Sequence, residues 1–206
     1  MSAREGRKQR KERRYLGPQN LSEFLRMNVE TEKKYRLDRA AATALRQRLR
    51  TLGAACLEED FEENTIYSGN GLDVARQALR LRRTRNGATL AFKERWPSQS
   101  AVKRQREEET AIEDPQAMAR ILEALGFRPT LVYEKRRATF GLDRCRVSLD
   151  ELPFGLFAEI EGDAADIEKV ERTLDLCNAP VENATYPELA AKYGRRQGER
   201  TESRFD

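Results

Sequence analysis

Apolar residues along this chain recur with two periods, and the alternation between them lays out the fold. Residues 28–37 (NVETEKKYRL) run without Gly or Pro and alternate as a strand does. Ala40, Ala44, Leu45, Leu49 and Leu52 then fall at helical spacing across 39–52, stopped by Gly53. Residues 54–67, with Phe61, Ile66 and Tyr67, predict a second strand, closed by a loop at Ser68-Gly69-Asn70-Gly71. QALRLRRT (77–84) and ATLAFKER (88–95) predict two more, joined through Asn86-Gly87, a hairpin signal because both residues tolerate positive φ. After Trp96-Pro97-Ser98 comes a polar strand near 101–112. Asp114 as N-cap, Pro115 at the first helical position and Gly126 as stop bracket a helix over 115–125. Residues 128–140, 144–150 and 154–162 predict three strands, 163–176 an amphipathic helix and 186–193 a short final helix. The last dozen residues are polar and expected to fray. Eight hairpin-spaced strands with few helices predict an α+β chain: an antiparallel barrel or strongly curved sheet, with helices packed outside.

Period two sorts the strand residues into faces. Glu30, Glu32, Lys34 and Arg36 share one face of the first strand, and Val29, Thr31, Lys33, Tyr35 and Leu37 the other. Arg80 and Arg82 oppose Leu79 and Leu81; Ala91 and Lys93 oppose Leu90 and Phe92; Lys135 and Arg137 fall together. Arg146, Ser148 and Asp150 oppose Cys145, Val147 and Leu149, and Glu159 and Glu161 oppose Ala158 and Ile160. A half-buried sheet with its polar face in water would carry Ser, Thr and Gln among its charges. Here the polar faces hold almost only fixed charges, and they are segregated: acids at 30/32 and 159/161, bases at 80/82 and 135/137. In a closed barrel with helices outside, these faces line a lumen wide enough for one small ligand. Crowded like charges repel, so the acids call for a cation and the bases for an anion. A metal-bound polyphosphate meets both needs. Glu58, Glu59, Glu62 and Glu63 read as surface charge on the second strand.

Composition narrows the chemistry. Charged residues make up 36% of the 206, and the chain contains no histidine. That removes Ser-His-Asp and Cys-His catalysis and any zinc site built on imidazole, so a bound metal must rest on carboxylates. Oxygen ligands favour Mg²⁺ or Mn²⁺. The net charge of +4 belongs to the N-terminus, where Arg4, Arg7, Lys8, Arg10, Lys11, Arg13 and Arg14 outweigh Glu5 and Glu12; the body is nearly neutral. The basic run reads as a solvated tail rather than a nucleic-acid site, since no aromatics interleave it. Cys56, Cys145 and Cys177 form neither a disulfide framework nor a zinc motif, and the chain offers no membrane-length apolar run and no secretory leader, which together point to the cytoplasm.

Glu30-Thr31-Glu32-Lys33-Lys34 is an ExExK strand. It is followed in order by FEENTIY, ALRLR, LAFK, REEET before a DP helix, EALGF, YEKRR, VSLDELPFG and FAEIEG. From about residue 28 to 190 this series resembles the CYTH family, or triphosphate tunnel metalloenzymes, in particular bacterial class IV adenylyl cyclase-like and thiamine-triphosphatase-like members. The resemblance implies an eight-stranded antiparallel tunnel. It gives Glu30, Glu32, Glu159 and Glu161 to metal binding, with Asp150 as a further acidic ligand. It gives Lys34, Arg80, Arg82, Lys93, Lys135 and Arg137 to triphosphate contacts. In KRQREEETAIED, anchoring on Asp114-Pro115 turns Lys103, Gln105, Glu107 and Glu109 inward and adds Glu107 and Glu109 to the metal set; the other parity would turn Arg104, Arg106 and Glu108 inward.

The domain organisation is then a basic tail (1–27), a tunnel domain (28–194) and a polar tail (195–206). The expected activity is metal-dependent hydrolysis of a small triphosphate: inorganic, thiamine or nucleoside. Without histidine, Lys34, a carboxylate or metal-bound hydroxide must handle protons. A class IV adenylyl cyclase and a non-catalytic polyphosphate-binding module remain the alternatives. The sequence sets neither the substrate nor whether the chain is a monomer or a homodimer.

Overall fold

The computed structural model describes residues 29–96 and 102–206, so the basic tail and the loop at Pro97-Ser98 lie outside it. In chain order the elements are β1 (Val29–Leu37), α1 (Arg39–Thr51), β2 (Ala55–Gly69), β3 (Gln77–Arg83), β4 (Ala88–Arg95), β5 (Lys103–Ile112), α2 (Pro115–Ala124), β6 (Phe127–Leu142), β7 (Cys145–Leu152), β8 (Gly155–Glu161), α3 (Ala164–Leu174), α4 (Tyr186–Tyr193), β9 (Arg195–Gln197) and β10 (Arg200–Ser203). The strands run β2-β3-β4-β5-β1-β8-β7-β6 with every neighbour antiparallel, and β6 returns to β2 over most of its length. The sheet is therefore a closed ring of eight strands.

Alternation decides what faces out. Tyr35, Leu37, Val147, Leu149, Ala158 and Ile160 turn outward beneath Leu45 and Leu49 of α1 and Ile167, Val170 and Leu174 of α3. Leu79 and Leu81 of β3 pack against Leu122 and Met118 of α2. The helices start where the sequence places caps: Asp38 accepts from the Ala41 amide, and Asp114 from those of Gln116 and Ala117 with Pro115 next in line. Among the described residues no helix is long and apolar enough to cross a membrane.

Two features depart from expectation. First, α4 is not an outer helix. Tyr186, Leu189 and Ala190 gather with Ile66, Leu131, Tyr133, Leu152 and Phe157, strand residues of the same parity as the charged positions. The inward faces thus turn apolar towards one end of the ring, and α4 covers that end. A capping box of Thr185 and Glu188 starts the helix. Second, the polar segment 195–206 does not fray. β9 and β10 form a hairpin, and β10 adds in parallel to β6 through Thr201, Glu202 and Ser203. Arg204 reaches Glu63 at 2.8 Å and Glu134 at 2.7 Å, and the Phe205 ring lies against Phe61 and under Arg136. Ion pairs and backbone pairing replace the apolar periodicity that would have announced the segment.

Candidate active site

The ring encloses a cavity of about 580 Å³. Glu30, Glu32 and Lys34 of β1 line it, with Arg80 and Arg82 of β3, Lys93 of β4, Glu107 and Glu109 of β5, Lys135 and Arg137 of β6, and Glu159 and Glu161 of β8. The strand parity that puts Gln105, Glu107 and Glu109 inward is the one the structure adopts. Of the residues expected at the site, Asp150 alone does not reach the wall.

Cross-strand register builds an acidic side. Glu32 stands opposite Glu161, and Lys34 opposite Glu159. Burial, then repulsion from Glu159, raises the Glu32 carboxyl to about 7. Burial and the nearby Glu30 raise Glu161 as well. Glu30 behaves otherwise. Burial opposes its ionisation, yet Lys93 at 2.8 Å and an amide bond from Gln105 at 2.6 Å outweigh it and lower the carboxyl to about 2. Glu32 and Glu161 have no ion-pair partner among the described residues.

The basic side is internally paired. Arg80 reaches Glu107 and Glu109, each at 3.5 Å, and Lys93 reaches Glu107 at 2.8 Å. Arg137 grips Asp150 through two nitrogens, at 2.7 and 2.5 Å, and also contacts Glu159. Burial, reinforced by Arg137, lowers Lys135 to about 8. Lys34 lies 4.1 Å above the Tyr186 ring and 3.9 Å from Glu159. The buried Arg80 Nε has no hydrogen-bond partner among the described residues, an open donor on a wall residue.

Asp150 needs correcting as a metal ligand. It shares the inward parity but sits beneath the wall, with Arg137 on both oxygens and the Tyr186 hydroxyl on Oδ2 at 2.7 Å. Burial opposes its charge, but Arg137 and Lys135 outweigh that and lower its pKa. So placed, both of its oxygens are already engaged, and the structure does not bring it to the cavity wall. The reading of Glu62 as surface charge is also overturned: it is 4% exposed, lines the cavity, and lies 3.3 Å from both Arg82 and Lys135. Glu58 joins it on the lining, as does Asp60. Phe61, apolar on the opposite parity, is the signal for it.

The donors on the acidic side are all carboxylate oxygens, which suits a hard divalent cation. Among the described residues no three acidic or thiol groups converge into a ready-made cage. What fits a cation is the opposed, unpaired couple Glu32 and Glu161, with Glu30 and Glu159 one step away on the same strands.

A family model for the CYTH domain matches residues 28–180. The chain belongs to the CYTH family. Beyond the match lie α4, β9 and β10, so Tyr186 and Glu188 bring to this CYTH lumen side chains from outside the family segment. A Methanocaldococcus jannaschii protein named for a proposed adenylate cyclase activity is 27% identical over 71% of this chain and 84% of its own. The solved PH1012 protein of Pyrococcus horikoshii superposes with a TM-score of 0.69 at 25% identity, over 78% of this chain and 98% of its own. A Hippeastrum protein, called an adenylyl cyclase but described as having a dominant triphosphatase activity, shares the fold at a TM-score of 0.62 and 21% identity, over 84% of this chain and 99% of its own.

Proposed function

We propose that this chain is a metal-dependent triphosphatase that cleaves the terminal phosphoryl group of a small triphosphate held inside the ring. The observation that carries the reading is the division of one enclosed lumen into an acidic side on β1 and β8 and a basic side on β3, β4 and β6. An anion-binding module needs only the second. Mg²⁺ or Mn²⁺ held by Glu32 and Glu161, with Glu30 and Glu159 beside them, would screen phosphoryl oxygens and acidify a bound water.

The chain's own residues do the rest by position and charge, as phosphoryl transfer demands. Arg80, Arg82 and Arg137 offer planar forks to pairs of phosphate oxygens, and Lys93 and Lys135 add point charges. Lys34, fixed between Tyr186 and Glu159, is the candidate to hold a proton near the leaving oxygen. Water adds to the terminal phosphorus, the bond to its bridging oxygen breaks, and orthophosphate leaves with the diphosphate remainder.

Purified protein incubated with inorganic triphosphate, thiamine triphosphate and ATP, each with Mg²⁺ or Mn²⁺, tests this. Orthophosphate release that stops on chelation is the expected result. The name of the Methanocaldococcus relative supports a second reading, adenylyl cyclase; cyclic AMP and pyrophosphate from ATP, in place of orthophosphate, would select it. Binding without turnover would select a sensor.

A further inference from the structure

The basic wall already holds an anion of its own. Glu62 projects from β2 into the space between the bases: its Oε2 lies 3.3 Å from Arg82 Nε and 3.3 Å from Lys135 Nζ, and its Oε1 3.9 Å from Arg137 Nε. Asn64, fully buried, braces the arrangement by donating to Glu62 Oε2 at 3.2 Å and accepting from Arg82 Nε at 3.3 Å. Sheet register fixes the placement, because Glu62 faces Lys135 and Asn64 faces Arg82 in the ladders. A carboxylate so held presents two anionic oxygens to the donors a phosphoryl group would use.

We propose that Glu62 is an internal competitor for the basic wall, a selectivity residue that turns away small anions and admits only a polyphosphate with charge enough to displace or share its ion pairs. Any anion approaching Arg82, Lys135 and Arg137 meets the repulsion of Glu62 at short range and in low dielectric. Monophosphate would draw nearly all its binding from those three bases and bears the whole penalty. Tripolyphosphate also reaches Arg80 and Lys93, whose partners are Glu107, Glu109 and Glu30, and so keeps most of its affinity. Discrimination of this kind works by repelling the wrong ligand as much as by attracting the right one. The inference rests on the triphosphatase reading for its ligand class, but not for its direction.

Calorimetric titration of the full chain with inorganic monophosphate and tripolyphosphate, in chelator and at fixed ionic strength, is the test. Glu62→Gln should bind monophosphate about tenfold or more tightly than the natural protein, and tripolyphosphate by a smaller factor, so that the preference narrows. Glu62→Asp keeps the charge, withdraws it by one methylene, and should move the same way by less; it carries the test if the Gln variant does not fold. Glu59→Gln makes the same charge change outside the ring, where Glu59 pairs with Arg46 at 2.7 Å, and should leave both affinities unchanged. Unchanged or weaker binding of both anions by the Glu62 variants would overturn the proposal, because Glu62 would then be organising the wall. A natural protein that fails to bind tripolyphosphate would sink the triphosphatase reading alone, provided Glu62→Gln gained monophosphate affinity. No binding by either protein would overturn both.

Discussion

On the β3–β6 side of the lumen each base meets a carboxylate, Arg82 and Lys135 on Glu62 and Arg137 on Asp150, whereas on the β1–β8 side Glu32 and Glu161 face each other and neither has an ion pair among the described residues. Both sides are buried and both come from alternate residues of the ring's strands. They differ in what an incoming ion must do. A cation arriving between Glu32 and Glu161 relieves a repulsion and breaks no existing pair. An anion arriving at the basic wall must trade partners with carboxylates already seated there. On the proposed reading, a cation meets open carboxylates, whereas an anion must compete with carboxylates already seated on the basic wall.

Three perturbations act on that contrast. The largest effect is expected from Arg137→Ala, which leaves Asp150 buried and short of its main partner. Stripping one member from a buried ion pair costs roughly 3–5 kcal/mol, and chemical denaturation should read a loss of that size. A loss below about 1 kcal/mol, the range of exposed pairs, would mean the basic side is not internally locked. Next comes Glu161→Gln, with Glu32→Gln beside it. Turnover of tripolyphosphate should fall on the order of a hundredfold or more, at least the loss seen when groups merely supporting a metal ligand are removed. Stability in chelator should hold or rise, since only a repulsion is lost. Near-normal rates at saturating Mg²⁺ and Mn²⁺ would remove the acidic side from the chemistry.

The third effect is graded with pH. Burial, with Glu159 and Glu30 adding to it against the pull of Lys93 and Lys34, raises Glu32 from 4.5 to about 7. A carboxyl whose folded pKa exceeds its unfolded one contributes stability that is complete below the unfolded value and lost as pH rises through the folded one. Metal-free protein should therefore lose stability relative to Glu32→Gln between pH 4.5 and 7, and Mg²⁺ should flatten the difference. A stability difference constant across that window, measured by denaturant unfolding in chelator, would show Glu32 to be well solvated.

The sequence disclosed the lumen where strands are short and strictly alternating: Arg80 and Arg82, Glu159 and Glu161, Glu30 and Glu32. Glu62 escaped because β2 runs from Ala55 to Gly69 with register shifts near Cys56 and Ile66, carries acids on both parities, and places the apolar Ile66 on the same inward face, where α4 covers it. Parity also gave Asp150 its correct face but not its depth. What occupies its oxygens are Arg137 across the β6–β7 ladder and a hydroxyl from α4, and neither is encoded by spacing within β7. The C-terminal hairpin has no hydrophobic rhythm at all, since charges and main-chain pairing hold it.

The pairing of β1 with β8 has a consequence for how the molecule assembles. β1 is the earliest strand of the ring, yet its neighbours are β5 and β8, both far along the chain. Long-range pairing of this kind pays loop-closure entropy before it gains contacts, and it slows folding. The longest-range of these pairings, β1 with β8, is also where Glu32 meets Glu161. Electrostatic repulsion therefore acts when those two edges approach. Divalent metal in the refolding medium would bridge those edges and quicken closure, so the same two carboxylates that serve the finished protein would also govern the time it takes to form.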